Sequence, residues 1–377
     1  MVDLTPPTAA ENALPEPVLA ADARFMGQAL ELARLGLGQV SPNPAVGCLL
    51  VRDGEVVGRG YHVRAGAPHA EAVALGEAGE RARGAIAYVT LEPCAVKFEG
   101  KRTPPCDPAL IKAGVVRVVA AIRDPNPDVN GAGLRRLAEA GIVVTEGVGQ
   151  AEAARLTRGF RHWIASGRPW VILKEARTRD GFVARHKPAR KWFTSEAARR
   201  WVHGLRGEVD GILVGRATAE VDDPALTVRA VEGRNPQRIV LDSRRRLPEN
   251  LAIFSDGAAP TWRFSATGEA GPAPWGEEIV VATTGTGLDL PRVLDMLGRR
   301  QITSLLVEGG PALNRSFLSQ GLAQEVVLIT SSAAADAVVR SERGLAGVLR
   351  VPEGWQLISE MTNMPEELIV AQRPEAV

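Results

Sequence analysis

His69-Ala70-Glu71, then Pro93-Cys94, then Thr103-Pro104-Pro105-Cys106 constrain this chain more than any other feature. One imidazole and two thiols hold a zinc ion through three protein bonds and leave the fourth position for water. The fold must therefore bring two distant segments to one point. The local pattern predicts how. Cys48-Leu49-Leu50-Val51, the Asp53-Gly54 turn and Val56-Val57-Gly58 read as a β-hairpin, Asp-Gly supplying the positive φ angles of a tight turn. Pro68 opens an Ala-rich helix running to Gly79, which puts His69 and Glu71 in its first turn. Ile86 to Thr90 reads as a short strand, and Leu91-Glu92-Pro93-Cys94 leaves its end. The two ligand-bearing segments are predicted to meet at the end of one sheet.

Glu71 lies two residues after the histidine, poorly placed to bind the same ion and well placed to move the protons of its water. Zinc deaminases divide the work in this way: the metal activates water, and a carboxylate that is not a ligand shuttles protons. The chain has three cysteines and five histidines in all, so this grouping is not a matter of abundance. Cys48, inside an apolar strand, reads as a buried free thiol and not as a ligand. An odd cysteine count without a secretory signal predicts a reducing, cytoplasmic setting.

A chain of 377 residues suits two α/β domains. The net charge of +1 argues against a general nucleic-acid binder, and no apolar run is long enough to cross a bilayer. Residues 1–21, rich in Pro, Ala and acidic groups, read as a disordered extension, followed by a first domain over 22–166 and a second over 167–377. From Trp170 onward strands and helices alternate, which predicts a doubly wound sheet. Its strands are expected at 170–176, 211–214, 238–241, 278–282, 304–308, 325–330 and 367–370, with helices at 195–206, 292–298 and 312–320. Residues 255–276, rich in Gly, Ala and Pro, read as a surface excursion. The three spaced glycines of a dinucleotide fingerprint are absent. The strand Leu305-Leu306-Val307 runs instead into Glu308-Gly309-Gly310-Pro311, a turn able to bring backbone N–H groups up to phosphate.

The long spacing between the two thiols, with Thr-Pro-Pro before the second, resembles the bifunctional deaminase/reductase family of riboflavin biosynthesis. Ser41-Pro42-Asn43-Pro44-Ala45-Val46-Gly47, Gly60-Tyr61-His62, Ala65 to Glu71 and Asp124-Pro125-Asn126-Pro127 carry the resemblance over about 24–150. It implies a cytidine-deaminase-like α/β/α sandwich. His69, Cys94 and Cys106 become the zinc ligands, Glu71 the proton shuttle, and Asn43 and His62 contacts to a pyrimidine or its ribose phosphate. One segment departs from the family: Ala95 to Arg102 has extra residues and no histidine, and Lys97, Lys101 or Arg102 is offered as a phosphate contact in its place.

The second half resembles the same family's reductase, a dihydrofolate-reductase-like domain using NADPH. The matching runs are Lys174 to Gly181, Trp192-Phe193-Thr194, Leu205-Arg206, Asp210 to Arg229, Arg238 to Ser243 and Val307 to Gly310. They imply that Ala176, Trp192, Thr218, Asp222, Ser243 and the Gly309-Gly310 turn line the cofactor site, and that Arg206, Leu226, Arg229 and Glu308 meet the substrate. Guanidinium forks suit a ribose phosphate. His162, His186 and His203 read as surface or packing residues, and Arg244-Arg245-Arg246 as solvent-facing. Arg179, Phe182, Gln324 and the Ala-rich stretch after Thr330 depart from the family pattern. The resemblance further implies a small phosphorylated pyrimidine as substrate and a homo-oligomer. Two other readings compete: a nucleoside or RNA deaminase with a C-terminal binding module, and a reductase whose deaminase half is inactive.

Overall fold

The computed structural model describes residues 16–95, 104–183, 194–285, 287–332, 345–346, 349–361 and 366–374. The chain forms two compact units, Met1–Arg161 and His162–Val377, whose boundary falls inside the helix Arg158–Ser166. Of the extension expected over 1–21, residues 1–15 lie outside the described residues and 16–21 belong to the first helix.

The first unit runs α1 (Glu16–Arg34), β1 (Gly47–Arg52), β2 (Glu55–Tyr61), α2 (Ala70–Ala78), β3 (Ile86–Val89) and α3 (Asp107–Ala113). It continues through β4 (Arg117–Ala120), α4 (Ala132–Glu139), β5 (Val143–Glu146), α5 (Gln150–Leu156) and α6 (Arg158–Ser166). Its sheet has the order β2-β1-β3-β4-β5. The β1–β2 hairpin and the β1–β3 pair are antiparallel, whereas β3, β4 and β5 run parallel. Asp53 and Gly54 take φ of 52° and 81°, so the predicted turn is present.

Successive side chains of a strand face opposite sides of its sheet, and β1 uses that to support two helical layers. Cys48 and Leu50 pack with Ala70 and Ala74 of α2, while Leu49 and Val51 pack with Met26, Ala29 and Leu30 of α1. The result is the α/β/α sandwich expected from the resemblance. Its most exacting contact is between α2 and β2. A Cβ on Gly60 would lie 2.1 Å from the Ala70 carbonyl oxygen and 2.6 Å from the Ala74 nitrogen, both backbone atoms of the helix that begins beside His69. Gly60→Ala is therefore expected to destabilise this unit by about 1–3 kcal/mol through overpacking. Gly76→Ala, where nothing lies within 4 Å, is the control; it should stabilise α2 by about 0.5–1 kcal/mol. Thermal unfolding of the two variants checks the contrast.

The second unit runs β6 (Trp170–Arg177), β7 (Phe182–Val183), α7 (Glu196–Glu208), β8 (Gly211–Gly215), α8 (Arg216–Asp222), β9 (Gln237–Leu241) and α9 (Ala252–Ser255). Next come β10 (Thr261–Ser265), β11 (Gly271–Ala273), β12 (Gly276–Val280), β13 (Thr283–Thr284), β14 (Gly287–Leu288) and α10 (Leu290–Arg299). The unit closes with β15 (Ser304–Val307), α11 (Pro311–Ser319), β16 (Glu325–Thr330), β17 (Leu345–Ala346), β18 (Gln356–Met361) and β19 (Glu367–Gln372). Ten strands form one sheet in the order β11-β12-β10-β9-β8-β15-β6-β16-β19-β18. Strands β12 to β16 in that order run parallel, with β11 antiparallel at one edge and β19 and β18 antiparallel at the other.

Both faces of this sheet are covered. Val171, Leu173, Leu305 and Val307 pack with Val293 and Leu297 of α10 and Phe317 of α11, whereas Ile172 and Leu306 pack with Val202 and Leu205 of α7. The sheet is thus wound on both sides, as the alternation of elements predicts. One expectation is overturned. Within the stretch read as a surface excursion, β10 is a buried parallel strand between β9 and β12. Arg263 in its centre reads as surface in the sequence, yet it is 2% exposed. Glu278 accepts from its Nε at 2.8 Å, and its guanidinium lies 4.8 Å from the centre of the Trp275 ring. A buried charge satisfied in this way hides a strand from hydropathy. Strand β18 is likewise not predicted by the sequence pattern.

Candidate metal centre and reductase site

His69 immediately precedes α2, Cys94 follows the segment leaving β3, and Cys106 immediately precedes α3. The backbone ties the two thiol-bearing segments together, since Cys106 N–H donates to the Cys94 carbonyl at 2.9 Å. Three donor atoms converge. His69 Nδ1 lies 3.5 Å from Cys94 Sγ and 3.3 Å from Cys106 Sγ, and the two sulfurs are 3.5 Å apart. With Zn–S near 2.3 Å and Zn–N near 2.0–2.1 Å, a tetrahedral ion spaces such donors by roughly 3.5–3.8 Å. The set fits zinc in both chemistry and spacing. The Cys94 sulfur, then burial, pushes the Cys106 thiol well above the ordinary thiol range. A coordinated divalent cation reverses that preference, because it deprotonates the thiols it binds. Cys48 is fully buried and stands apart from the three-donor group.

Glu71 is 3% exposed in the first turn of α2. Burial raises its carboxyl to about 7, with Cys94 adding to the rise and His69 opposing it. A carboxyl poised near neutrality both accepts and returns a proton, which is what a shuttle requires. Asn43 and His62 meet each other. His62 Nδ1–H donates to the Pro68 carbonyl at 3.1 Å, which leaves Nε2 to accept from Asn43 Nδ2 at 3.0 Å. His62 is buried, not at the surface, and its ring stands edge-on to His69 with centroids 5.5 Å apart. Burial lowers its pKa, against the pull of the Pro68 carbonyl and with His69 adding to the fall. Of the loop that departs from the family, residues 96–102, with Lys97, Lys101 and Arg102, lie outside the described residues.

Glu92 has no role predicted from the sequence. It is buried and accepts from Gly131 N–H at 2.7 Å, Gly133 N–H at 2.9 Å and Asp124 N–H at 3.2 Å. It thus fastens the Asp124-to-Gly133 turn against the segment that carries Cys94. Its signal is weak: an acidic residue directly after an apolar strand, before a proline.

In the second unit several of the expected residues lie at or just beyond the carboxyl ends of parallel strands, where open α/β sheets hold ligands. Ala176 is near the end of β6, Thr218 is in α8 after β8, Ser243 follows β9, and Glu308-Gly309-Gly310 follows β15. Gly309 packs closely on α11, since a Cβ there would lie 2.6 Å from the Leu313 side chain and would force it to shift. A Cβ on Gly310 would face Thr218 Oγ1 at 3.7 Å, so the turn ahead of α11 lies beside α8. Leu226 is buried with φ of 52°, and Asp222 and Arg229 are exposed. Trp192 and His186 lie outside the described residues.

Arg206 and Glu308 form a fork-to-fork pair, Nε to Oε1 at 2.7 Å and Nη2 to Oε2 at 3.1 Å, and Arg206 Nη1 also donates to the Thr227 carbonyl at 3.2 Å. Lys174 Nζ adds a second cation 3.5 Å from Glu308 Oε2. The sequence assigns Lys174 no role, although it stands two residues before Ala176 and so on the same face of β6. Burial alone would raise the Glu308 carboxyl, but Arg206 and Lys174 hold it down to about 2, below its ordinary value of 4.5. The stability this pair confers is therefore complete above about 4.5 and lost as pH falls towards about 2. Acid unfolding of Glu308→Gln, followed beside the parent, should lack that component. His203 is buried, with Nδ1 accepting from Arg229 N–H at 3.3 Å, and burial followed by Arg206 and Arg229 lowers its pKa to about 4. It is a packing residue, as is His162, which stacks edge-on against Trp170. Arg244, Arg245 and Arg246 are exposed.

Known proteins share this arrangement. Residues 19–122 match the cytidine and deoxycytidylate deaminase zinc-binding region, and residues 169–334 match the RibD C-terminal domain. The riboflavin biosynthesis protein RibD of Escherichia coli is 44% identical over 81% of this chain and 86% of its own length, and that of Aquifex aeolicus is 42% identical over the same shares. A diaminohydroxyphosphoribosylaminopyrimidine deaminase/5-amino-6-(5-phosphoribosylamino)uracil reductase from Thermotoga maritima superposes with a TM-score of 0.82 at 34% identity, covering 95% of this chain and all of that one. RibD of Acinetobacter baumannii gives 0.79 at 33% identity, over the same 95% and 100%. With both halves matched in order, and with His69, Cys94 and Cys106 grouped so that they could hold a metal ion, the chain belongs to the bifunctional RibD family of riboflavin-biosynthesis deaminase/reductases.

Proposed function

We propose that the chain carries out two successive steps of riboflavin biosynthesis. The first is hydrolytic deamination of 2,5-diamino-6-(5-phosphoribosylamino)pyrimidin-4-one. The second is reduction of the ribosyl group of the product to ribityl. The observation that carries this reading is the convergence of His69, Cys94 and Cys106 beside buried Glu71, in a chain whose other half is a reductase of the same family. Bound zinc supplies an acidified water and NADPH supplies hydride; the protein supplies the rest. His69, Cys94 and Cys106 hold the metal. Glu71 takes a proton from the water and returns it towards the leaving ammonia. His62 and Asn43, locked in one hydrogen-bonded arrangement, meet the pyrimidine or its ribose phosphate.

In the second unit Ala176, Thr218, Asp222, Ser243 and Gly309-Gly310, together with Trp192, serve the cofactor. Arg206, Leu226, Arg229 and Glu308 serve the phosphorylated substrate. No helix among the described residues is long and apolar enough to cross a membrane. The reading extends to a cytoplasmic homo-oligomer acting on a small molecule and not on nucleic acid, and neither competing reading finds support. Ammonia release from the pyrimidine ribosyl phosphate, followed in the same cuvette by NADPH oxidation, tests it. Ammonia without NADPH oxidation removes the second activity, and NADPH oxidation only on supplied deaminated substrate removes the first.

A further inference from the structure

We propose that Arg136 is a positioning residue for the zinc centre: from α4 it clamps together the two chain ends that carry the zinc-binding thiols. Its Nη1 donates to the carbonyl of Ala95, the residue after Cys94, at 3.0 Å. Its Nε lies 2.9 Å from Oδ2 of Asp107, the residue after Cys106. One guanidinium plane thus spans both ends of the segment separating the two thiols. The two contacts differ in kind: the one to Ala95 is a hydrogen bond and the one to Asp107 is an ion pair, and a single extended guanidinium makes both.

The observations around this contact point the same way. Asp107 is fully buried beside this cation, whereas the Arg136 side chain is about half exposed (51%) and enters from solvent. The backbone bond from Cys106 N–H to the Cys94 carbonyl sets the approach of the two segments. The helix that carries Arg136 is itself held to the metal segment. Glu92 accepts from Gly131 and Gly133, and Gly133 passes so close to Pro93 that a Cβ there would lie 2.0 Å from its carbonyl oxygen. Helix α4 is therefore fixed to the chain just before Cys94, and Arg136 reaches from it to the residues just after each thiol. Such outer contacts hold ligands at the separation the metal requires, and their loss typically costs about 10–100-fold in metal affinity.

The test is zinc release from the full-length, zinc-loaded protein into a chromogenic chelator. Arg136→Ala should release zinc about 10–100-fold faster than the parent. Arg135→Ala, its exposed neighbour on α4, should release at the parental rate. Arg136→Lys keeps a charge to pair with Asp107 but not a second arm for the Ala95 carbonyl, so it should fall between the two. That graded rescue is what a general weakening of α4 would not give. Should Arg136→Ala fail to fold, the lysine variant alone decides. Release from Arg136→Lys at the parental rate overturns the proposal, as does release from Arg136→Ala within twofold of Arg135→Ala. Reductase activity, measured in the same samples on deaminated substrate, should be unchanged in all three.

Discussion

Glu71→Gln is expected to retain a full equivalent of zinc and to lose ammonia release by about 10²–10⁴-fold, the usual contribution of a positioned proton-transfer group. The argument rests on placement. Glu71 is buried and does not belong to the three-residue group that could hold a metal. Burial raises its carboxyl to about 7, so it accepts and returns a proton at neutral pH. Glutamine keeps the shape and the buried hydrogen-bonding capacity but carries no titratable proton. Reduction of externally supplied deaminated substrate should be unaffected. Zinc analysis together with the two assays, run separately, checks each part. A variant that releases ammonia at the parental rate would assign the proton shuttle elsewhere.

Arg206→Ala is expected to damage the second unit twice over. The variant strips a buried carboxylate of its bidentate partner, leaving Glu308 with Lys174 at 3.5 Å. Breaking such a pair from one side costs about 3–5 kcal/mol, and the surviving lysine places this case near about 3. If Arg206 grips the phosphorylated substrate as proposed, its loss should also lower reductase kcat/KM by about 10–100-fold, the worth of a charge-assisted hydrogen bond. The two effects separate in the double variant Arg206→Ala/Glu308→Gln. Removing the stranded charge should restore most of the unfolding midpoint while leaving the reductase impaired. If the double variant stays as unstable as the single one, the cost lies in lost packing and not in the orphaned carboxylate.

The metal centre was legible in the sequence because its chemistry is concentrated. A histidine and two cysteines at helix and strand ends have few alternative uses in a chain with so few of either residue. The hairpin announced itself through Asp53-Gly54, and α2 through Pro68 and its alanines. What stayed hidden were residues whose role depends on distant partners. Glu92 and Arg136 carry no signal of their own in the sequence, because their partners come together only when α4 is folded against the Cys94 segment. Arg263 disguised β10, since a buried arginine is recognisable only beside the Glu278 and Trp275 that satisfy it. Lys174 was visible as a letter in a matching run but not as the second cation on Glu308. The reductase edge was legible only by resemblance, because a single Gly-Gly turn does not distinguish a nucleotide site from a loop.

Zinc K-edge X-ray absorption on the metal-loaded protein tests the central claim most directly. A centre built from His69, Cys94 and Cys106 with one water predicts two sulfur scatterers at about 2.3 Å and two nitrogen or oxygen scatterers at about 2.0–2.1 Å. A spectrum with fewer than two sulfurs, or with a third, would contradict it.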